Sequence, residues 1–161
     1  MNPIKLQQTS HKLSKESWLL RKIAVLIQLW IHFRYNCDLS PVTEIGRGTT
    51  LGHGGIGVVI NGRSVIGRNC IIAQNVTIAG KDGGAPDIDD WVYIGANSVI
   101  LGGVHVGKNA FIGALSLVNK DVPENSIVAG IPAKVLRIRT KEEIDRWHRW
   151  VTTHGGIEIG V

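Results

Sequence analysis

The feature that most constrains the fold is an aliphatic residue that recurs at every sixth position. A six-residue period is neither the 3.6-residue period of a helix nor the two-residue period of a flat strand. Each unit must provide a short strand with one inward aliphatic side chain, followed by a tight corner where glycine or a small polar residue costs least. We therefore predict a parallel β-helix whose stacked units share one interior. The repeating positions are Ile45, Leu51, Ile66, Ile72, Ile78, Ile88, Ile94, Ile100, Val106, Ile112 and Val118.

Two insertions interrupt this register. Leu51 and Ile60 are nine positions apart instead of six, and Ile78 and Ile88 are ten positions apart. Insertions in a repeat protein map to surface loops that often carry function. The first insertion contains His53, and the second contains the sequence Gly-Lys-Asp-Gly-Gly-Ala-Pro.

The N-terminal segment, residues 1–37, is predicted to contain one short helix. Residues 1–14 are polar, and we expect frayed chain there. Ser14 is a candidate N-cap for an apolar helix from Trp18 to about Tyr35. The apolar run is shorter than the ~18–20 residues needed to span a bilayer, so the helix is expected to pack on the β-helix or on a neighbouring subunit. The alternative is peripheral contact of residues 18–35 with a membrane surface.

The C-terminal segment, residues 139–161, is predicted to contain a second helix. Thr140 and Glu143 form the pattern of a capping box. The helix then runs from Lys141 to about Val151, and we expect it to cover the open end of the solenoid or to dock on a neighbour. A glycine pair at 155–156 is expected to end it.

Charge and cysteine usage narrow the classes of partner and compartment. The net charge of +5 favours an anionic partner. No basic run is interleaved with aromatic residues in the repeats, which argues against nucleic acid. Cys37 and Cys70 lack CxxC spacing and indicate a reduced, cytoplasmic protein with packed thiols. The N-terminus lacks the early apolar core of a signal peptide.

Several motifs occur together in this sequence: the hexads, Leu-Gly-His-Gly-Gly at the first insertion, Ile94–Ile100, Lys120–Pro123 and Ala129–Lys134. In combination they resemble the hexapeptide-repeat acyltransferases, in the branch of serine acetyltransferase. The resemblance implies a mainly β protein, with a left-handed parallel β-helix of triangular cross-section over residues 38–138, three hexads per coil and a helix on either side. It also implies a homotrimer, or a dimer of trimers, with acetyl-CoA in the groove between neighbouring subunits and no metal.

The same resemblance assigns roles to individual residues. Acetyl transfer to a hydroxyl requires a base, and an imidazole with its ordinary pKa of ~6.5 suits this task. His53 matches the catalytic histidine of the family, and Asp38 matches an aspartate that could orient the imidazole. Backbone N–H groups near Gly80 are expected to stabilise the oxyanion. The positions that match residues binding acetyl-CoA are Gly80, Ala96, Ala114, Lys120 and Lys134.

Departures from the family pattern bear on the acceptor. Gly52 stands where serine acetyltransferases have an aspartate, and Gly83–Pro86 lacks the Arg-His pair that grips serine. The short N-terminus and Val58–Asn61 look more like the small O-acetyltransferases of capsule and colanic acid pathways. We therefore expect direct acetyl transfer to a saccharide hydroxyl in a ternary complex, in the cytoplasm or at the inner face of the membrane.

Three alternatives remain open at this point. The first is serine O-acetylation in cysteine biosynthesis. The second is a hydratase like the γ-class carbonic anhydrases, which requires three histidines on zinc, whereas the coils contain only His53 and His105. The third is a non-catalytic scaffold, against which the isolated His53 in a register break argues.

Overall fold

Short parallel strands wind into a β-solenoid of about four turns in the computed structural model, which describes residues 3–154. Helices α1 (Pro3–Ser14) and α2 (Trp18–Tyr35) precede it, and α3 (Lys141–His154) follows it. The strands are β1 (Asp38–Leu39), β2 (Glu44–Ile45), β3 (Thr50–Leu51), β4 (Val59–Ile60), β5 (Val65–Ile66), β6 (Ile71–Ile72), β7 (Thr77–Ala79), β8 (Asp87–Ile88), β9 (Tyr93–Ile94), β10 (Val99–Leu101), β11 (His105–Val106), β12 (Phe111–Ile112), β13 (Leu117–Val118), β14 (Ser126–Gly130) and β15 (Ala133–Ile138).

Every third strand returns to the same sheet, so that the coil is a three-sided prism. Face A contains β1, β4, β7, β10 and β13 in that order. Face B contains β2, β5, β8 and β11, and face C contains β3, β6, β9, β12, β14 and β15. All neighbours are parallel except β14 and β15, which form an antiparallel pair. The mainly β, left-handed hexapeptide β-helix predicted from the sequence is confirmed.

Strand pairing places both insertions where the sequence predicts them. Val59 pairs with Thr77, and Val99 pairs with Leu117, so each of these coils consists of three hexads. The coil between the paired residues Asp38 and Val59 is longer, because it contains the first insertion. The coil between Thr77 and Val99 is longer as well, because it contains the second. The strands on both sides keep their inward aliphatic positions.

The interior of the prism is a dry aliphatic column. Ile72, Ile78, Ile94, Ile100 and Ile112 have no exposed surface. Burial of one such side chain contributes about 1.5–3 kcal/mol, so the shared column supplies the stability that no single coil has. The small residues Ser98, Ala110 and Ser116 are buried as well, and the hydroxyl of Ser98 donates to the carbonyl of Gly113 at 2.9 Å.

The predicted fraying is wrong for residues 3–14, because Pro3–Ser14 forms α1. Its polar side chains bind backbone carbonyls of the first coil. Gln7 donates to Ser40 O (3.0 Å) and Thr43 O (2.7 Å), and Gln8 donates to Ile45 O (3.0 Å). This polar segment thus forms an ordered helix, because its side-chain amides donate hydrogen bonds to backbone carbonyls at the end of the first coil that would otherwise lack a partner. Ser14 ends α1, and Ser17 is the N-cap of α2.

Helix α2 has the predicted bounds and an unusual surface. Ala24 and Ile31 are buried, whereas most of its large apolar side chains are exposed. No helix within residues 3–154 is long and apolar enough to cross a bilayer.

Helix α3 begins at the predicted capping box but packs elsewhere than expected. Glu143 N–H donates to the Thr140 hydroxyl (3.3 Å), and Thr140 N–H donates to the Glu143 carboxylate (2.8 Å). The helix lies against face C, where the indole of Trp147 donates to Trp91 O at 2.8 Å and meets the ring of Tyr93 edge-on. It therefore covers a side of the solenoid rather than its end. The predicted stop at 155–156 lies outside the described residues.

Candidate active site

His53 projects from the edge where face C turns into face A, which we call the C–A edge. The insertion forms a tight turn, Gly52–Gly55, in which His53 has left-handed backbone angles, with φ of 52° and ψ of 38°. Gly54 and Gly55 follow with φ of 66° and 84°, values that glycine adopts at little cost. The turn pushes the imidazole out of the coil, and His53 is exposed. The first insertion thus converts a corner position into an accessible basic group.

Ala96 and Ala114, which have small side chains, occupy corner positions beyond His53 along the C–A edge. The N–H of Leu115 donates to Ala96 O at 2.9 Å, and the N–H of Asn97 donates to Gln74 O at 3.1 Å. Ala96 and Ala114 therefore stack on successive coils, as the sequence predicts. Gln74 occupies the same corner one coil earlier. This residue was not identified from the sequence. The second insertion lengthens the coil between Gln74 and Ala96, so these two residues are not separated by the three hexads that separate Ala96 from Ala114.

The C–A edge is long enough for an extended ligand. Four strand steps separate β3, which precedes His53, from β14, and strands lie about 4.8 Å apart, so the edge extends about 19 Å. Ala129 lies at the far end, where its side chain neighbours Gly113, and it pairs with the exposed Lys134 on β15. A cation is therefore available at the end of the edge opposite to His53.

Asp38 lies close to the His53 turn in the chain path but does not bind its imidazole. It begins face A, with its N–H bonded to Val58 O at 2.8 Å and its side chain exposed. No hydrogen bond or ion pair between Asp38 and His53 exists in the described subunit. The predicted contact stays a prediction.

The second insertion forms a tight hairpin on a different edge, where face A turns into face B (the A–B edge). Lys81 and Gly84 exchange both backbone hydrogen bonds, at 3.0 and 2.9 Å. The two residues between them, Asp82 and Gly83, have φ of 51° and 84°, as a type I′ turn requires. The amides of Lys81 and Gly84 are thus occupied in the hairpin and do not face a ligand.

Gly80 and Lys120 both belong to this A–B edge. The register of face A puts them at the same corner two coils apart. A cavity of about 650 Å³ opens beside the hairpin and is lined by Lys81, Asp82 and Lys120, among others. Gly80 itself is closely packed, since a Cβ there would meet Gly84 O at 2.8 Å.

The predicted acetyl-CoA residues therefore fall into two groups on two edges. Ala96, Ala114 and Lys134 lie on or near the C–A edge, and Gly80 and Lys120 lie on the A–B edge. One whole hexad of chain separates Gln74 at one edge from Gly80 at the other, which is roughly 20 Å of extended backbone. One subunit does not bring the two groups together.

The cysteines are structural. Burial raises the pKa of Cys70 to about 12, and burial together with the Asp38 charge raises the pKa of Cys37 to about 11. Neither thiol is a nucleophile at neutral pH. Among residues 3–154, no three His, Cys, Asp or Glu side chains come together to form a group that could hold a metal ion.

The fold and the hexads define a hexapeptide-repeat β-helix protein. Residues 88–120 match the family model described as bacterial transferase hexapeptide (six repeats). Several serine acetyltransferases share much more of the chain. Serine acetyltransferase 2 of Arabidopsis thaliana is 39% identical over 140 residues, which cover 84% of this chain and 42% of that protein. The Escherichia coli (strain K12) serine acetyltransferase is 38% identical over 120 residues, covering 72% of this chain and 44% of that protein.

Solved structures give the same relationship. The serine acetyltransferase of Vibrio cholerae O1 superposes with a TM-score of 0.79 at 31% identity, covering 86% of this chain and 54% of that one. The serine acetyltransferase of Brucella abortus strain S19 in complex with coenzyme A also gives 0.79, at 30% identity, covering 85% and 55%. The chain therefore spans about half the length of the relatives that it matches.

These comparisons correct the predicted acceptor and the predicted likeness to polysaccharide O-acetyltransferases. Both predictions are wrong, because the relatives found at 38–40% identity are serine acetyltransferases. The prediction gave most weight to the loop Gly83–Pro86, which lacks the arginine and histidine of the family pattern, and to the short N-terminus. Identity across the whole coil region is the stronger discriminator, since it samples many more positions than one loop.

Proposed function

We propose that this chain is an acetyl-CoA-dependent O-acetyltransferase whose acceptor is the hydroxyl of L-serine. The observation that carries the proposal is the position of His53, an exposed imidazole at one end of an edge on which Ala96 and Ala114 leave room for an extended ligand. The serine acetyltransferases among the relatives support the choice of acceptor.

The reaction requires one proton to move between three groups. An imidazole nitrogen of His53 accepts the proton of the serine hydroxyl as the oxygen attacks the thioester carbonyl. The C–S bond then breaks, and the imidazolium returns the proton to the CoA thiolate. The products are O-acetylserine and CoA. Both cysteines are buried, so neither offers a thiol for an acyl-enzyme, and we propose direct transfer in a ternary complex.

Asp38 is proposed as the positioning residue for the imidazole. A carboxylate that accepts a hydrogen bond from one ring nitrogen fixes the tautomer and stabilises the imidazolium. Asp38 and the His53 turn lie on neighbouring stretches of chain, since Gly57, two residues after the turn, donates its N–H to Asn36 O at 2.8 Å. Both side chains are exposed, and catalytic hydrogen bonds that are absent without substrate often form only in the substrate complex.

A homotrimer accounts for the division of the predicted acetyl-CoA residues between two edges. If the C–A edge of one subunit faces the A–B edge of the next, the pantetheine arm passes along Ala96 and Ala114 while Gly80 and Lys120 approach from the neighbour. We propose this arrangement, in a cytoplasmic enzyme, with Lys120 and Lys134 contacting CoA phosphates.

The test is CoA release from acetyl-CoA on addition of L-serine, with O-acetylserine identified by mass spectrometry. His53→Ala is expected to lower kcat by about 10²–10⁴-fold. The matched control is His105→Ala, since His105 is also an exposed histidine but pairs with Asp89 at 3.2 Å on face B. That variant should keep the wild-type rate. Release that does not depend on serine, or full turnover by His53→Ala, contradicts the proposal.

A further inference from the structure

The positive charge of the chain is concentrated in the helical hairpin formed by α1 and α2. Between Pro3 and Tyr35 the sequence contains six of the 18 basic residues but one of the 13 acidic residues. This stretch alone carries a net charge of +5, which equals the net charge of the whole chain. The rest of the sequence, residues 36–161, is therefore balanced in charge, and the hairpin is the cationic end of the molecule.

The surface of α2 that points away from the protein is apolar. Ala24 and Ile31 face inward and are 1% and 0% exposed. At 100° per residue the opposite side of the helix is centred on Leu26 and Phe33, which are 63% and 92% exposed. We call this surface the α2 outer face; its large apolar members are Trp18, Leu19, Ile23, Val25, Leu26, Leu29, Trp30 and Phe33.

Basic residues border this apolar surface. The helical projection puts Arg21 on one margin of the α2 outer face and Arg34 on the other, and both are exposed. Lys22 lies within it, with its ammonium 4.7 Å from the centre of the Trp18 ring. The sequence of α2 contains no acidic residue. A wide apolar strip with tryptophans and basic margins is the pattern of a helix that lies in a membrane interface.

We propose that the α2 outer face docks on the surface of an anionic lipid bilayer. The apolar side chains enter the boundary between headgroups and acyl chains, while Arg21 and Arg34 meet lipid phosphates. Charge complementarity favours this occupant over a second copy of the chain, because two cationic hairpins placed face to face repel each other. The inference is independent of the acceptor and goes beyond acetyl transfer.

Docking would also fix the position of the candidate active site. Tyr35, the last residue of α2, lies against the His53 turn, since a Cβ on Gly54 would be 4.0 Å from its ring. The C–A edge thus begins next to the membrane-facing helix, and His53 is held close to the bilayer surface.

The test is flotation of the full chain with vesicles of phosphatidylcholine containing about 30% phosphatidylglycerol, compared with phosphatidylcholine alone. We expect binding to the anionic vesicles at about 0.1 M salt and much weaker binding at about 0.5 M. Arg21→Gln with Arg34→Gln should weaken binding about 25-fold, roughly fivefold for each charge. Arg63→Gln with Arg149→Gln removes the same charge from exposed positions outside the hairpin and should have little effect.

A second pair of variants tests the apolar contact. Leu26→Glu with Phe33→Glu should reduce binding to the anionic vesicles more than about tenfold. Leu136→Glu with Ile138→Glu is the matched control, since these side chains are 64% and 57% exposed on β15, and it should bind as the wild type does. Circular dichroism verifies that each variant is folded.

Three results would overturn the inference. One is equal flotation with neutral and anionic vesicles. Another is unchanged binding by the Leu26 and Phe33 double variant. The third is a wild-type protein that binds no vesicles but loses oligomer mass in sedimentation velocity on the Leu26 and Phe33 substitutions, which would assign the α2 outer face to a second copy.

Discussion

Gly95 tests whether the close stacking of coils at the C–A edge holds the prism together. A methyl group on Gly95 would lie 2.5 Å from the nitrogen of Ala114, whereas ordinary Cβ contacts begin near 3.4 Å. Gly95→Ala therefore forces the two coils apart by about 0.9 Å. The bonds on either side, Gly95 N–H to Ile112 O (2.8 Å) and Leu115 N–H to Ala96 O (2.9 Å), would then exceed a useful length.

The cost follows from these two bonds and from residual overpacking. A backbone hydrogen bond contributes about 1 kcal/mol, and overpacking of a rigid site costs about 1–3 kcal/mol. We expect Gly95→Ala to lower the free energy of unfolding by about 3 kcal/mol, which for a chain of this size lowers Tm by about 6–12 °C. Gly103→Ala is the control, because its nearest neighbours are at 3.4 and 4.0 Å, and its Tm should change by less than about 2 °C.

The assay is thermal unfolding followed by circular dichroism, which compares the Tm of the two variants with that of the wild type at one protein concentration. If Gly95→Ala and Gly103→Ala unfold at the same temperature, the coils separate without cost, and close stacking is not what stabilises this edge.

Three other predictions follow from the site and the packing of α3. Ala114→Trp, which fills the C–A edge at an exposed position, should raise KM for acetyl-CoA about tenfold or more and leave Tm unchanged; an unaltered KM would remove this edge from the acetyl-CoA site. Hydrogen bonds from Arg137 and from the Thr140 N–H lower the pKa of Glu143 from 4.5 to about 2. The stabilisation by its carboxylate is therefore complete above about pH 4.5 and is lost as the pH falls toward 2, so Glu143→Gln should flatten the fall of Tm in that range. The thiols of Cys37 and Cys70 should resist an aromatic disulfide reagent at about pH 7.5 in the native protein and react fully after denaturation; rapid native reaction would contradict their burial.

Features that depend on local pattern were predictable from the sequence. The hexads identified the aliphatic column in the interior, which includes Ile78, Ile94 and Ile112, because a period of six places one inward aliphatic side chain on each short strand. The two insertions were located correctly for the same reason, since each shifts the register by a countable number of positions. The bounds of α2 and the capping box at Thr140 and Glu143 also follow from neighbouring residues.

Features that depend on contacts between distant segments were not predictable. Residues 1–14 look like a frayed polar terminus until Gln7 and Gln8 are seen to bind carbonyls of the first coil. Helix α3 has an apolar stripe that fits many surfaces, and only the packing of Trp147 on Trp91 and Tyr93 assigns it to face C.

The candidate site shows the same division. The sequence by itself determined that the chain coils, which aliphatic residues fill the coil, and that His53 lies in an insertion, because all three follow from spacing along the chain. Only the tertiary structure decided that Gln74 joins Ala96 and Ala114 on the edge of His53, while Gly80 and Lys120 lie on another edge. The physical reason is that lateral neighbours in a solenoid are set by the length of each coil, and two coils here are longer than three hexads.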